Sequence, residues 1–122
     1  MIDTPLSFET ILGAGAVTVF DENRDVIDMV YRTMEFLAEE SCGKCTPCRE
    51  GIEVMLEILR RFSIGDGTER DIIILQELSS VMMLSSLCGL GQAAPNPVMD
   101  SLEYFRSAYD NRMRNVKAGV VT

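Results

Sequence analysis

Four cysteines are the residues of this chain best suited to chemistry. Cys42, Cys45 and Cys48 share one short loop, with two residues between successive cysteines, and Cys88 lies far along the chain. Structural zinc sites usually take their thiolates from two separate C-x2-C pairs. Three thiolates on one loop can instead bind three different irons of a cubane cluster, and a distant fourth can bind the last iron. The spacing therefore predicts one [4Fe–4S] cluster bound by these four cysteines.

The neighbours of the cysteines suit an anionic cluster. Lys44 and Arg49 lie beside the predicted ligands, and a helix predicted to begin near Pro47 would direct its free N–H groups and positive dipole end toward the loop. Residues without side chains let backbone N–H groups approach sulfur, where hydrogen bonds influence the reduction potential. The glycines in such positions are Gly43, Gly89 and Gly91.

Three other interpretations of the cysteines stay open from the residues alone. They could be buried and unliganded, because cysteine is among the most buried residue types, although three rarely cluster at this spacing by chance. They could hold zinc in a structural interaction domain. They could form disulfides, which the absence of a secretory signal makes less favoured.

Composition excludes several function classes. The chain has no histidine, so it contains neither a Ser-His-Asp nor a Cys-His nucleophile and no histidine-ligated metal site. Its formal net charge of −8 repels phosphate backbones, which argues against nucleic acid as a partner. The first residues lack the basic and apolar regions of a secretory signal, and no apolar run approaches the roughly 20 residues that span a bilayer. We therefore expect a soluble cytoplasmic protein without membrane insertion, a location that includes the cytoplasmic face of a membrane complex.

Hydrophobic periodicity predicts four amphipathic helices at residues 24–39, 47–62, 69–84 and 97–114. The predicted N-cap residues of these helices are Asn23, Thr46, Thr68 and Asn96. Thr68 and Asp71 have the spacing of a capping box. Residues 16–20, which follow two glycines, are typical of a short β-strand.

Four helices with mostly short connections predict an all-α fold, an antiparallel four-helix bundle with a short N-terminal β segment. In up-and-down order, the loops after the first and third helices lie at the same end, so Cys88 is predicted to lie near the other three cysteines. Residues 1–20 are interpreted as the trailing strand of a preceding, mostly absent domain, residues 21–115 as the four-helix iron–sulfur domain, and residues 116–122 as a frayed tail.

Two motifs carry a family resemblance. Residues 40–51, ESCGKCTPCREG, resemble the iron–sulfur signature of the flavin-bearing NADH subunits of respiratory NADH dehydrogenase, NAD-reducing hydrogenases and NAD-dependent formate dehydrogenases. Residues 87–92, LCGLGQ, followed by Pro95-Asn96-Pro97, resemble the segment that holds their fourth ligand. Residues 13–24 are similar to the hydrogenase and formate dehydrogenase branch.

The resemblance implies a four-helix domain that holds one [4Fe–4S] cluster through Cys42, Cys45, Cys48 and Cys88. In that family the cluster exchanges electrons with an FMN that reacts with NAD(H), and with further clusters in partner subunits. The expected partners are a flavin- and NADH-binding domain or subunit and other iron–sulfur subunits. Because the upstream flavin domain and ubiquitin-like domain are not present in full, the chain is expected to be an electron-transfer part of an NAD(P)H-linked oxidoreductase and not catalytic alone.

Overall fold

The computed structural model describes residues 17–114, and these residues form an all-α fold. The helices are α1 (Val26–Glu40), α2 (Thr46–Ser63), α3 (Glu69–Ser85), α4 (Gly89–Ala93), α5 (Asn96–Tyr104) and α6 (Arg106–Asp110). Within the same residues, β pairing is limited to an isolated parallel bridge between Gly67 and Met113. None of these helices combines the length and the apolar character that crossing a bilayer would need.

The all-α prediction is confirmed, but four continuous helices are not what the chain forms. Three of the predicted helices correspond to α1, α2 and α3, while the fourth is divided and an unpredicted helix, α4, precedes it. Residues 17–20 have no regular structure, so the predicted strand is absent there, and Ala16 lies outside the described residues. A strand needs a pairing partner, and residues 17–114 offer none to this segment. The predicted tail at 116–122 and most of the predicted segment at 1–20 also lie outside the described residues.

The first helix begins later than predicted. Asp25, and not Asn23, is the N-cap of α1, because its Oδ1 accepts a hydrogen bond from the Ile27 N–H at 2.9 Å. Asn23 lies in the preceding turn, where its own N–H donates to Asp21 Oδ1 at 3.1 Å. Arg112 fixes Asp25 from a distant part of the chain, with Nη2 2.7 Å from Oδ2.

The second and third helices begin close to the predicted positions. Thr46 is the first residue of α2 rather than its cap, and Cys45 is the N-cap. The capping box of α3 is confirmed: the Asp71 N–H donates to Thr68 Oγ1 at 3.2 Å, and the Thr68 N–H donates to Asp71 Oδ2 at 2.9 Å. These reciprocal bonds satisfy donors that the first turn of a helix leaves free.

The predicted fourth helix is interrupted at Phe105, which separates α5 from α6. A continuous helix would place Phe105 and Tyr109 on one face, since they are four residues apart. The interruption instead leaves Phe105 half exposed and buries Tyr109 completely against Phe62, with the two rings 5.1 Å apart in an edge-to-face arrangement. Burial of this aromatic ring is a reason for the chain to change direction.

The core lies between α1, α2, α3 and α5. Helix α1 packs against α2 and α5, and α3 packs against α2, α4 and α5. Thr33 in α1 and Val81 in α3 are exposed and lie outside this core. The largest completely buried aliphatic and sulfur-containing side chains are Ile27, Met34, Ile52, Met55, Ile58, Leu59, Ile72, Leu75, Met82 and Val98. Burial of each such side chain stabilises the fold by roughly 1.5–3 kcal/mol.

Candidate metal centre

Two separate stretches of the chain supply the cysteines. Cys42 lies in the loop between α1 and α2, Cys45 is the N-cap of α2, and Cys48 lies in the first turn of that helix. Cys88 is the N-cap of α4, just after α3 ends. All four line one cavity of about 100 Å³. The predicted proximity of Cys88 to the other three is thus present, and packing of α3 and α4 against α2 produces it.

The cysteines differ in their exposure to solvent. The Cys48 residue is only 4% exposed, Cys45 is half-buried, and Cys42 and Cys88 are exposed. All four are unpaired thiols. The cavity therefore has a buried floor at Cys48 and an open edge at Cys42 and Cys88. Any group held there would meet the hydrophobic core on one side and solvent or another protein on the other.

The loop between α1 and α2 is held by a glycine and an arginine. Gly43 has a φ of +67°, a left-handed conformation that residues with a Cβ adopt only with strain. Arg49 Nη1 donates a hydrogen bond to the Gly43 carbonyl at 2.7 Å, and Arg49 Nε donates to Glu50 Oε1 at 2.9 Å. Arg49 thus fixes the loop in addition to its electrostatic effect, while Lys44 lines the cavity itself.

Backbone donors favour the ionised form of one cysteine. Hydrogen bonding by the backbone of Leu87, and secondly of Cys48, lowers the pKa of the Cys45 thiol, and the charge of Arg49 adds to the effect. The thiolate is the form that ligates metals. Leu87 belongs to the other stretch, directly before Cys88, so this donor reaches Cys45 only in the folded chain.

The segment around Cys88, residues 86–93, is held in place by close packing at Gly91 and by a hydrogen bond from Gln92. A Cβ placed on Gly91 would lie 2.6 Å from the Ser86 side chain and 3.0 Å from the Cys48 Cβ, so only glycine allows α4 to approach α2 this closely. Gln92 Nε2 donates to the Ser86 carbonyl at 3.0 Å. Sequence reasoning missed α4, Leu87 as a donor and Gln92 as an anchor. No local signal marked α4, because two of its five residues are glycines, which disfavour helices, and no side chain caps its N-terminus by a hydrogen bond.

The donor set fits an iron–sulfur cluster. A [4Fe–4S] cluster takes four cysteine thiolates, and this cavity presents four. A single zinc ion would need its sulfurs about 2.3 Å from one point. Within residues 17–114, no three cysteine or carboxylate side chains converge on a position for one ion. A larger cavity of about 710 Å³ lies elsewhere, between residues 18–24, α1 and α5, and contains no cysteine.

Comparison with known proteins identifies relatives across nearly the whole chain. A subunit of the NADH-quinone oxidoreductase of Streptomyces coelicolor is 39% identical over 118 residues, which are 92% of this chain and 26% of that protein. The NADP-reducing hydrogenase subunit HndC of Solidesulfovibrio fructosivorans is 37% identical over 109 residues, which are 89% of this chain and 22% of that protein. The chain thus spans about a quarter of the length of the curated relatives it matches.

A solved structure has the same fold. A chain of the NAD⁺-reducing [NiFe]-hydrogenase in its H₂-reduced state superposes with a TM-score of 0.84 at 36% sequence identity, covering 93% of this chain and 20% of that one. The family described as the NADH-ubiquinone oxidoreductase-F iron-sulfur binding region matches residues 28–112, more than half of the chain and including all four cysteines. The chain therefore belongs to this family, so that its cofactor is a [4Fe–4S] cluster and its role lies in electron transfer.

Proposed function

We propose that Cys42, Cys45, Cys48 and Cys88 ligate the [4Fe–4S] cluster, and that the chain relays electrons between a flavin- and NAD(P)H-binding domain or subunit and further iron–sulfur clusters. The observation that carries the proposal is the common cavity, which is lined by all four thiols although they come from two separate stretches. When bound, the cluster supplies reversible one-electron redox chemistry. The chain supplies the ligands, their orientation and their surroundings.

The gradient of burial across the site supports a relay. Cys48 anchors the site in the core, while Cys88 lies at the open edge directly after Leu87, which is 82% exposed. An exposed leucine next to a predicted ligand leaves apolar surface at this edge that a partner could cover. A partner that docks at this edge would contact the exposed cysteines Cys42 and Cys88 directly, with no part of the hydrophobic core between it and the cluster.

The names of the relatives support the choice of partners. They are subunits of an NADH-quinone oxidoreductase and an NADP-reducing hydrogenase, and the matching structure is an NAD⁺-reducing hydrogenase. Because this chain corresponds to about a quarter of those relatives, we assign the flavin and the nicotinamide nucleotide to a partner domain or subunit. We assign neither to residues of this chain.

The test measures iron, acid-labile sulfide and zinc in the anaerobically reconstituted full chain, together with its visible spectrum. We expect about four irons and four sulfides per chain and absorbance that bleaches on reduction. Cys88→Ala should lose most of the iron, while Ser85→Ala should keep it, because the Ser85 hydroxyl is exposed and donates to the Val81 carbonyl of its own helix. One zinc without sulfide would instead identify a structural zinc domain, and unchanged iron in Cys88→Ala would refute the fourth ligand.

The same preparation tests the relay. The reconstituted chain should stay oxidised when NADH is added alone, and it should be reduced when a flavin-bearing, NADH-oxidising partner is also present. Reduction by NADH without any partner would contradict the assignment of the flavin and nucleotide to another domain.

A further inference from the structure

The hydroxyl of Ser41 differs from the serine hydroxyls within α3. The side chains of Ser79, Ser80 and Ser85 each donate to the carbonyl four residues earlier in α3, the local bond that helical serines commonly make. Ser41 follows the end of α1 in an extended conformation, and its Oγ lies 3.3 Å from Cys48 Sγ. It thus bridges the loop between α1 and α2 to a predicted ligand on the next helix.

The direction of this hydrogen bond follows from the charge state of a ligating cysteine. The Gly43 N–H donates to Ser41 Oγ at 3.3 Å, so the hydroxyl oxygen already serves as an acceptor. A cysteine that ligates metal is a thiolate and has no proton to give. In the loaded protein, Ser41 Oγ therefore donates its proton and Cys48 Sγ accepts it.

We infer that Ser41 is a positioning residue that raises the reduction potential of the cluster through Cys48, an inference that rests on the proposed function. A donor to a ligand sulfur stabilises the more negative, reduced form more than the oxidised form, which makes reduction easier. Cys48 is only 4% exposed, so water competes little with this donor and the bond acts in a medium of low dielectric constant. The other three cysteines are more exposed to solvent. Water competes for hydrogen bonds to their sulfurs, so a single protein donor there would change the reduction potential less.

Another buried serine near Cys48 makes no such bond. The Ser86 side chain contacts the position of Gly91, which in turn lies against the Cys48 Cβ. Its Oγ has no hydrogen-bond partner anywhere in the described part of the chain. Proximity to Cys48 is therefore not what distinguishes Ser41. The distinguishing feature is the bond to sulfur together with the N–H of Gly43 that orients the hydroxyl.

The experiment compares the reconstituted full chain with Ser41→Ala, Ser41→Thr and Ser80→Ala. Iron and sulfide are measured first, and the midpoint potential is then determined by anaerobic redox titration followed in the visible spectrum. We expect full iron content in all variants and a more negative potential in Ser41→Ala. The expected change is about tenfold in the ratio of reduced to oxidised cluster at a fixed potential, or about 59 mV for a one-electron couple. Ser41→Thr keeps the hydroxyl and should stay near the wild-type value, as should Ser80→Ala.

Each contrary outcome has a distinct meaning. An unchanged potential in a fully loaded Ser41→Ala would overturn the inference and leave the proposed function intact. Loss of iron from Ser41→Ala, with retention in Ser41→Thr, would also overturn it, because the hydroxyl would then hold the cluster in place rather than adjust its potential. Absence of iron and sulfide from the wild-type chain would overturn the proposed function itself.

Discussion

The contact between Gly91 and Cys48 shows how a residue without a side chain shapes the metal centre. Gly91 lies in α4 and faces both the first turn of α2 and the end of α3, where Ser86 follows. Because no Cβ separates α4 from α2 at Gly91, α4 can hold Cys88 at the open edge of the cavity. Cys48 lies at the buried side of the same cavity. The sequence analysis predicted that this glycine lets backbone N–H groups approach sulfur, and that stays a prediction. The structure adds a second role for Gly91, which is close packing against Ser86 and Cys48.

Gly91→Ala should therefore damage both the fold and the site. Its new Cβ would lie 2.6 Å from the Ser86 side chain and 3.0 Å from the Cys48 Cβ, so α4 must move. We expect a loss of about 1–3 kcal/mol in the free energy of unfolding, the usual cost of overpacking, together with reduced iron content. Gly89→Ala is the matched control, because a Cβ there meets nothing within 4 Å. Equal losses in both variants, measured by urea unfolding and iron analysis, would contradict the packing argument.

The helices begin where side chains satisfy their first N–H groups, and some of these caps also join one helix to another. The capping box of α3 shares Asp71 with α2, since Arg61 Nη2 lies 2.5 Å from Asp71 Oδ1. The cap of α1 shares Asp25 with Arg112 in the same manner. A cap in this fold thus fixes both the start of a helix and its position relative to the rest of the chain.

Thr68→Ala should destabilise α3 without affecting the cysteines directly. It removes the acceptor for the Asp71 N–H and the Thr68 hydroxyl that donates to Asp71 Oδ2 at 2.8 Å. We expect a loss of about 1 kcal/mol in the free energy of unfolding, typical of an N-cap threonine. Thr33→Ala is the control, because Thr33 is an exposed residue within α1 whose hydroxyl donates to the Met29 carbonyl of the same helix. A stability for Thr68→Ala within experimental error of the Thr33→Ala value would show that the capping box is unimportant.

Long-range contacts of the last helices hold the described part of the chain together. Arg106 in α6 pairs with Glu69 of α3 at 2.9 Å. Tyr109 packs its ring against Phe62 of α2. The Tyr109 hydroxyl lies 2.6 Å from Ser101 Oγ, and because Ser101 Oγ donates to the Val98 carbonyl, the phenol is the donor. These contacts join α6 to α2, α3 and α5.

Tyr109→Phe should have an effect that depends on pH. Burial, the largest influence, raises the pKa of Tyr109 because it disfavours the charged phenolate. Above about pH 10, tyrosine in the unfolded chain loses its proton more readily than Tyr109 does in the fold. Above this pH the unfolded state binds fewer protons than the folded state, so the free energy of unfolding falls as the pH rises. The stability associated with the raised pKa is therefore fully present below about pH 10 and is lost as the pH rises through the pKa of Tyr109 in the folded protein. The phenylalanine variant lacks this decline.

We therefore expect Tyr109→Phe to lose about 1 kcal/mol near pH 8, where a buried hydrogen bond is removed, and to lose less as the pH is raised above about 10. Urea unfolding at several pH values, with the same cluster content in both proteins, measures the difference. Tyr104→Phe serves as the control near pH 8, since Tyr104 is 67% exposed and its replacement should cost little stability there. A deficit that grows with pH would contradict the argument.

Local patterns in the sequence were sufficient for much of this protein. Apolar periodicity located α1, α2 and α3, and the spacing of Thr68 and Asp71 predicted a capping box, because both depend on interactions within a few residues. The cysteine spacing and the motif around it were enough to predict the [4Fe–4S] cluster and the family. The order of the predicted helices was enough to predict that Cys88 lies near Cys42, Cys45 and Cys48, although α4, which positions Cys88, was not predicted.

Interactions between distant residues decided the rest. Arg112 strengthens Asp25 as the cap of α1 in place of Asn23, and burial of Tyr109 against Phe62 accompanies the break at Phe105. The Leu87 donor to Cys45 and the contact of Gly91 with Cys48 likewise exist only when two elements pack together. Such contacts join residues far apart in sequence, so no local pattern encodes them, and they exist only once the helices have assembled around their common core.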